Sequence, residues 1–216
     1  MKIQQRQSPQ TFTAIHIANT KNYIKNIETP IEIYELSEFD TSFLKSLRKQ
    51  VNLKELMPGI DENKLNVWEN IFHIAVNQVT GRRKTVLMAV HNNQPCGLMA
   101  YTQKPLKYEV NTICTWPTEQ GKKVPNAGKT LFYMLFKDFI KNNANSIDLD
   151  AVTNGPFNAV SKYMKLGFKQ RGGENDIIAM RATRERIIDT FQKLNEVIKS
   201  DIQINNSEVN LLEKLI

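Results

Sequence analysis

This chain has little with which to staple, span or chelate. It holds only two cysteines, Cys96 and Cys114, in 216 residues. Both fall inside apolar stretches that read as strands, which points to buried free thiols and argues against a disulfide framework. No apolar run approaches the roughly 18 residues of a membrane helix. Residues 1–22 are polar and lack the h-region of about 7 to 15 apolar residues that a secretory signal carries. The three histidines, His16, His73 and His91, lie far apart, with neither metal-ligand spacing nor a Ser or Cys partner; each is read as structural or exposed, and no metal is expected. No internal repeat or low-complexity segment stands out. What is left is a soluble protein of a reducing cytoplasm. Its 41% hydrophobic content suffices for one well-buried domain with decorations rather than two full domains.

Acidic residues are outnumbered, 22 against 29 basic ones, for a formal charge of +7. Basic clusters occur at 82–84, at Lys122-Lys123, at Lys169 to Arg171 and at Arg181 to Arg186. They suit a nucleic-acid surface, an acidic ligand or a plain solvated face, and no aromatic-interleaved basic stripe accompanies them to single out nucleic acid. An anionic cofactor is welcome on such a surface. A polyamine is not.

Residues 1–30 show no sustained period and read as an N-terminal extension. From Ile31 to Leu36 apolar and polar residues alternate, the signature of a half-buried strand. Asp40 stands as a helix N-cap before Phe43, Leu44, Leu47 and Val51, and Pro58-Gly59 stops the run. Leu65, Trp68, Phe72, Ala75 and Val79 form the buried stripe of a second helix that ends at Gly81. Thr85 to Val90 and Cys96 to Thr102 flank a His91-Asn92-Asn93-Gln94 turn, and Tyr108 to Trp116 makes a third consecutive strand, so the first half of the sheet is expected to be antiparallel. A helix from Gly128 carries Leu131, Phe132, Leu135, Phe136, Phe139 and Ile140. Strand Ser146 to Val152, helix Pro156 to Leu166, a strand pair at 168–170 and 177–180, and an amphipathic helix capped by Thr183 with Ile187, Ile188, Phe191, Leu194 and Ile198 complete the order. The last fifteen or so residues read as frayed.

The stretch from Lys107 to Phe168 carries the chemistry. A strand feeds a polar turn and then a helix start at Asn126-Ala127-Gly128-Lys129-Thr130, where unpaired amides and the helix dipole favour a phosphate. One helix later a tyrosine precedes a Leu-Gly-Phe stop. At this point the chain resembles the GNAT superfamily of acyl-CoA-dependent N-acyltransferases. Lys123-Val124-Pro125-Asn126-Ala127-Gly128 overlays the family's [RQ]-x-x-G-x-[GA] loop, and Ala159-Val160-Ser161-Lys162-Tyr163-Met164-Lys165-Leu166-Gly167-Phe168 is close to its Ala-Ile-x-x-Tyr-x-x-Leu-Gly-Phe helix. Tyr108-Glu109-Val110 is similar to the Ala-Glu-Ile of some members. The resemblance covers residues 31–182, leaving 183–216 as a C-terminal amphipathic helix and tail. Ala127-Gly128-Lys129-Thr130 also resembles the end of a P-loop with Asp150 as acidic partner, but Lys123 stands where that motif needs its first glycine.

The resemblance implies an α/β fold with a mixed, mainly antiparallel central sheet flanked by helices. It implies acetyl-CoA as cosubstrate and direct acetyl transfer to a primary amine of a peptide, a small molecule or an aminoacyl-RNA, and it allows a homodimer. Lys123, Val124, Asn126, Ala127, Gly128, Lys129 and Thr130 are expected to hold the pyrophosphate, the backbone of Ile113, Cys114 and Thr115 the pantetheine, and Asn158 is placed beside the cofactor. Glu109 is the expected base for the amine, whose pKa near 10.4 leaves it mostly protonated, and Tyr163 the expected acid for the departing thiolate. The different-class alternative is a non-catalytic CoA-binding or regulatory module. The two early helices, the loop before Lys123 and a Gly172-Gly173 turn are expected to border the acceptor groove.

Overall fold

The computed structural model describes residues 14–24, 27–80 and 84–200. A single nine-stranded sheet, in the order β7-β8-β6-β5-β4-β3-β2-β1-β9, organises them. Strands β1 (Ile15–Ile24) to β5 form an antiparallel meander, with β2 at Ile27–Leu36, β3 at Lys84–His91, β4 at Gln94–Lys104 and β5 at Lys107–Thr115. The β3–β4 hairpin follows from Asn92 and Asn93, both at positive φ (50° and 62°), the geometry that matches strand twist in a two-residue turn. Strand β6 (Ser146–Val152) joins β5 in parallel after helix α4 (Ala127–Lys141), and β8 (Ile177–Thr183) and β7 (Lys169–Glu174) add antiparallel beyond it.

Helices cover both faces, each for an apolar stripe of its own. On one face α4 and α6 (Arg184–Val197) bury Leu131, Leu135, Phe136, Phe139, Ile187 and Phe191 against Ile33, Met99, Tyr108 and Leu149, and α5 (Ala159–Lys165) packs beside them through the partly buried Ala159, Val160 and Tyr163. On the other, α1 (Thr41–Gln50), the short α2 (Leu53–Leu56) and α3 (Glu62–Asn77) bury Leu44, Leu47, Trp68 and Phe72 against Met88, Leu98, Cys114 and Trp116. Asp40 stops at the boundary of α1 as expected, but its carboxylate accepts from the Ser37 amide and hydroxyl (2.9 and 3.1 Å) instead of capping α1.

Three sequence expectations are corrected. The sheet begins at Ile15, inside the segment read as an extension, because the buried face of β1 is Ala18, Thr20 and Asn22 and a bulge between His16 and Ala18 breaks the alternation. Ile198 leaves the α6 stripe to start β9 (Ile198–Ser200), which pairs with β1. The glycines 172 and 173 lie within β7, and the β7–β8 turn falls at Asn175, at φ 53°. Residues 1–13, Gly81 and the tail from 201 lie outside the described residues.

Helix α6 is part of the core, with Ile187 fully buried and Phe191 and Leu194 nearly so. It docks where Gly167, at φ +89°, ends the α5 segment: a Cβ there would come within 2.9 Å of the Thr190 hydroxyl, so Leu166-Gly167-Phe168 is a close-packing stop as well as a turn. Ile187→Ala and Phe191→Ala are therefore expected to lower unfolding free energy by about 2–5 and 3–5 kcal/mol respectively in urea melts. Losses below about 1 kcal/mol would make the helix peripheral.

Candidate cofactor cleft

The cleft forms because β5 and β6 pair over only four residues. Their parallel register runs from Lys107↔Ser146 to Val110↔Leu149 and stops. Beyond it β5 stays paired with β4, and Trp116 donates to the Cys96 carbonyl at 3.0 Å. In an extended strand alternate peptide groups point to opposite edges, so those of Ile113 and Thr115 face the gap while that of Cys114 faces β4. Among the three strand residues expected to hold the pantetheine, two thus offer backbone to the opening. Asn111 is the extra residue of a bulge opposite the step from Ala100 to Tyr101, and it shifts the strand's alternation. Tyr108 and Val110 face α4, whereas Cys114 and Trp116 face α3.

At the far end of the gap sits the expected anion loop. Asn126 takes a left-handed conformation (φ 61°) immediately before α4, so the loop curls and the first amides of the helix, at Ala127, Gly128 and Lys129, are left without carbonyl partners. Helix and strand meet closely here: a Cβ on Gly97 would lie 3.1 Å from Thr115 Cγ2 and 3.2 Å from Leu131. Thr130 plays a different part from the others. It is fully buried, its amide donates to the Asn126 carbonyl (2.8 Å), and its hydroxyl lies 3.0 Å from the same carbonyl and 3.2 Å from Asn22 Oδ1. It braces the loop from behind. A P-loop needs that hydroxyl at a bound metal, and it needs a sheet unlike this meander.

Two cations converge on the loop. Lys123 Nζ lies 4.3 Å and Lys162 Nζ 4.5 Å from the ring centre of Phe157, which brings the loop, the β6–α5 connection and α5 together. Neither lysine has a carboxylate partner among the described residues. Burial, together with the neighbouring Lys123 charge, lowers the Lys162 pKa. Such a pair is relieved by a bound anion. Asn158 caps α5, its Oδ1 accepting from Ser161 N at 3.0 Å, and so fixes the start of the tyrosine helix.

Tyr163 lies on α5, facing α4, with Cys114 of β5 as an electrostatic neighbour. Its ring packs edge-on to Phe132 (5.7 Å) and beside Phe168 (6.1 Å), and no described residue hydrogen-bonds to its hydroxyl. Burial, with a smaller push from the Cys114 thiol, raises its pKa to about 12, so it holds its proton at neutral pH. Burial also pushes the Cys114 thiol up to about 12, which makes it an inert neighbour.

Glu109 lies on the opposite face, in a row of ion pairs. Lys104 (2.5 Å) and Lys107 (3.0 Å) hold it, Lys107 also meets Asp148 (2.8 Å), and Arg181 grips Asp148 through two bonds of 2.5 and 2.7 Å. Bonds from Lys104 and Lys107 lower the Glu109 pKa, and those from Arg181 and Lys107 lower that of Asp148. A carboxylate so held is a weaker base than a free one.

No known protein-family model matches the chain, and no curated protein matches it in sequence. Its structure is similar to solved ones. Apo FdhC, described as a nucleotide-linked sugar GNAT, is similar over 85% of this chain and 99% of its own, at 10% identity and a TM-score of 0.54. The GNAT domain of S. lividans PAT is similar over 71% of this chain and 90% of its own, at 11% identity and a TM-score of 0.50. The chain thus has the GNAT N-acetyltransferase fold, as the motifs around Gly128 and Tyr163 imply. Among the described residues no helix is long and apolar enough to cross a membrane, and no His, Cys, Asp and Glu cluster could hold a metal.

Glu109 and Asp148 have folded-state pKa values below their unfolded ones, so the row stabilises the fold above the ordinary carboxylate range and loses that contribution as pH falls. Unfolding free energy should decline as pH drops below about 4. Asp148→Asn should cost about 1 kcal/mol at pH 7 and make the acid slope shallower. An unchanged slope in acid titrations would mean that the row contributes nothing.

Proposed function

We propose that this protein is an acetyl-CoA-dependent N-acetyltransferase that acts on a primary amine. The observation that carries the reading is the gap between β5 and β6, with an amide cradle and two lysines that have no described carboxylate partner at one end and a protonated tyrosine beside it. A thioester with a long phosphorylated arm fits that order. The amides of Gly128 and Lys129, with Lys123 and Lys162, would hold the pyrophosphate. The peptide groups of Ile113 and Thr115 would pair with the pantetheine amides as a further strand does.

Acetyl-CoA, when bound, supplies an activated thioester carbonyl. The acceptor nitrogen forms the new bond to that carbon and gives up one proton to a base, the C–S bond breaks with its electron pair on sulfur, and the Tyr163 hydroxyl donates the proton that sulfur needs and is reprotonated from solvent. The aromatic packing of Phe132 and Phe168 fixes the ring for that transfer. Two free, buried thiols suit a reducing compartment. The alternative, a CoA-binding module without turnover, uses the same cradle and makes Tyr163 a packing residue.

Tyr163→Phe should lower kcat by about 10²- to 10⁴-fold with little change in the acetyl-CoA KM, measured as thiol release with a panel of primary amines. Unchanged turnover where chemistry limits the rate would remove Tyr163 from the reaction. No thiol release from wild type that still binds CoA would favour the module.

Gly128→Val should weaken CoA binding at an unchanged melting temperature. The nearest atom to an added Cβ is Thr115 Cγ2 at 3.7 Å, so the fold itself tolerates the side chain while the approach of a phosphate does not. Equal CoA affinity by calorimetry would move the anion site elsewhere.

A further inference from the structure

We infer that Asp150 and Arg171 select an acceptor whose primary amine lies a few bonds from an anionic group, as in an amino acid, and that Asp150 rather than Glu109 takes the amine's proton; the inference rests on the acyl-transfer reading above. Its basis is the outer face of β6, β8 and β7. Along β6, Ile147, Leu149 and Ala151 point into the core, which turns Asp148 and Asp150 to the other face. There a recess of about 320 Å³ is lined by Asp148, Asp150, Arg171, Ala179 and Arg181.

The charges in this recess are not equivalent. Asp148 is occupied by Arg181 and Lys107, and Glu109, its neighbour across the strands, by Lys104 and Lys107. Asp150 has no hydrogen-bond or ion-pair partner among the described residues, and Arg171 makes no ion pair with a described carboxylate. Both are exposed. They stand on either side of Ala179: Asp150 pairs with it across β6–β8, and Arg171 is the bulge residue of β7 opposite the step from Met180 to Ala179. A methyl side chain between them leaves the floor low enough for a ligand to lie across it. One negative and one positive side chain rise from backbones two strand spacings apart, about 9–10 Å, and line the same recess, so they offer a small zwitterion its own charges reversed.

The direction of the array agrees with the chemistry. Val110↔Leu149 is the last parallel pair, so Asp150 is the first β6 residue beyond it, across the opening from the bulge residue Asn111. An amine at Asp150 is therefore at the mouth of the gap, and an acid group at Arg171 points away from it. In the transfer the nitrogen bonds to the thioester carbon, its proton passes to the Asp150 carboxylate, and the sulfur leaves with the proton of Tyr163. Solvent then takes the proton from Asp150 and restores that of Tyr163, so the net movement is one acetyl group to nitrogen and one proton to sulfur.

The probes are L-alanine and ethylamine, which differ by one carboxylate, with propanoate as the anion-only control. In amide-resolved NMR titrations of the full chain, L-alanine should perturb residues 148–151 and 178–181 at lower concentration than either control. Arg171→Gln should reduce its response to that of ethylamine, and Asp150→Asn should abolish both amine responses with melting temperature kept. Equal binding of the three probes, or full binding to Asp150→Asn, overturns the assignment. In thiol-release assays Asp150→Asn should lower kcat/KM for the amine by about 10²-fold or more and displace the acidic limb of the pH profile, with the acetyl-CoA KM unchanged. An unmoved limb in an active enzyme overturns the base assignment and leaves the acyl-transfer reading standing. Selective L-alanine binding without any thiol release sinks that reading and keeps the recess.

Discussion

Two neighbouring strands that stop pairing generate the site. After Val110 and Leu149, β5 and β6 diverge, and a sheet does not ordinarily leave peptide groups facing an opening. Asn111 adds a bulge that bends β5 just past the last paired residue. Phe132, Tyr163 and Phe168 pack their rings together where α5 meets α4, and the Cys114 thiol of β5 acts on the Tyr163 hydroxyl. The candidate acid is therefore held by the same packing that seats α5.

Charge is partitioned around this gap. On the outer face, Lys104, Glu109, Lys107, Asp148 and Arg181 are linked by ion pairs in a continuous row. At the helix start, Lys123 and Lys162 share an aromatic ring and no described carboxylate. An exposed pair contributes little to stability, so the row mainly decides which groups remain available for a ligand. Three cations are thus engaged on the outer face, while Lys123 and Lys162 stay open where phosphate would lie.

Strand β1 supports the candidate anion loop from behind. Asn22, fully buried in β1, receives the Thr130 hydroxyl, and β1 is itself held by β2 on one side and β9 on the other. Segments outside the resemblance thus reach the loop within two hydrogen bonds. The α6 helix does the same for the tyrosine arm, because Gly167 packs against Arg186 and Thr190. Neither is an appendage.

Local units were legible in the order of residues alone. The 3.6-residue stripes of α3, α4 and α6, the Asn92-Asn93 turn, the strand at Ser146–Val152 and the Tyr163 to Phe168 stop were readable because each depends on neighbours within a few residues. Strand β1 was not readable, since its buried face includes Thr20 and Asn22, whose polar groups are satisfied only by residues distant in the chain. The opposite fates of Glu109 and Asp150 were equally hidden. Both are carboxylates on outward positions, and only the sheet register sets Lys104 and Lys107 on one and a small residue, Ala179, beside the other. Periodicity is a property of the segment, whereas the protonation, pairing and exposure of a charged group are properties of whatever the fold brings against it.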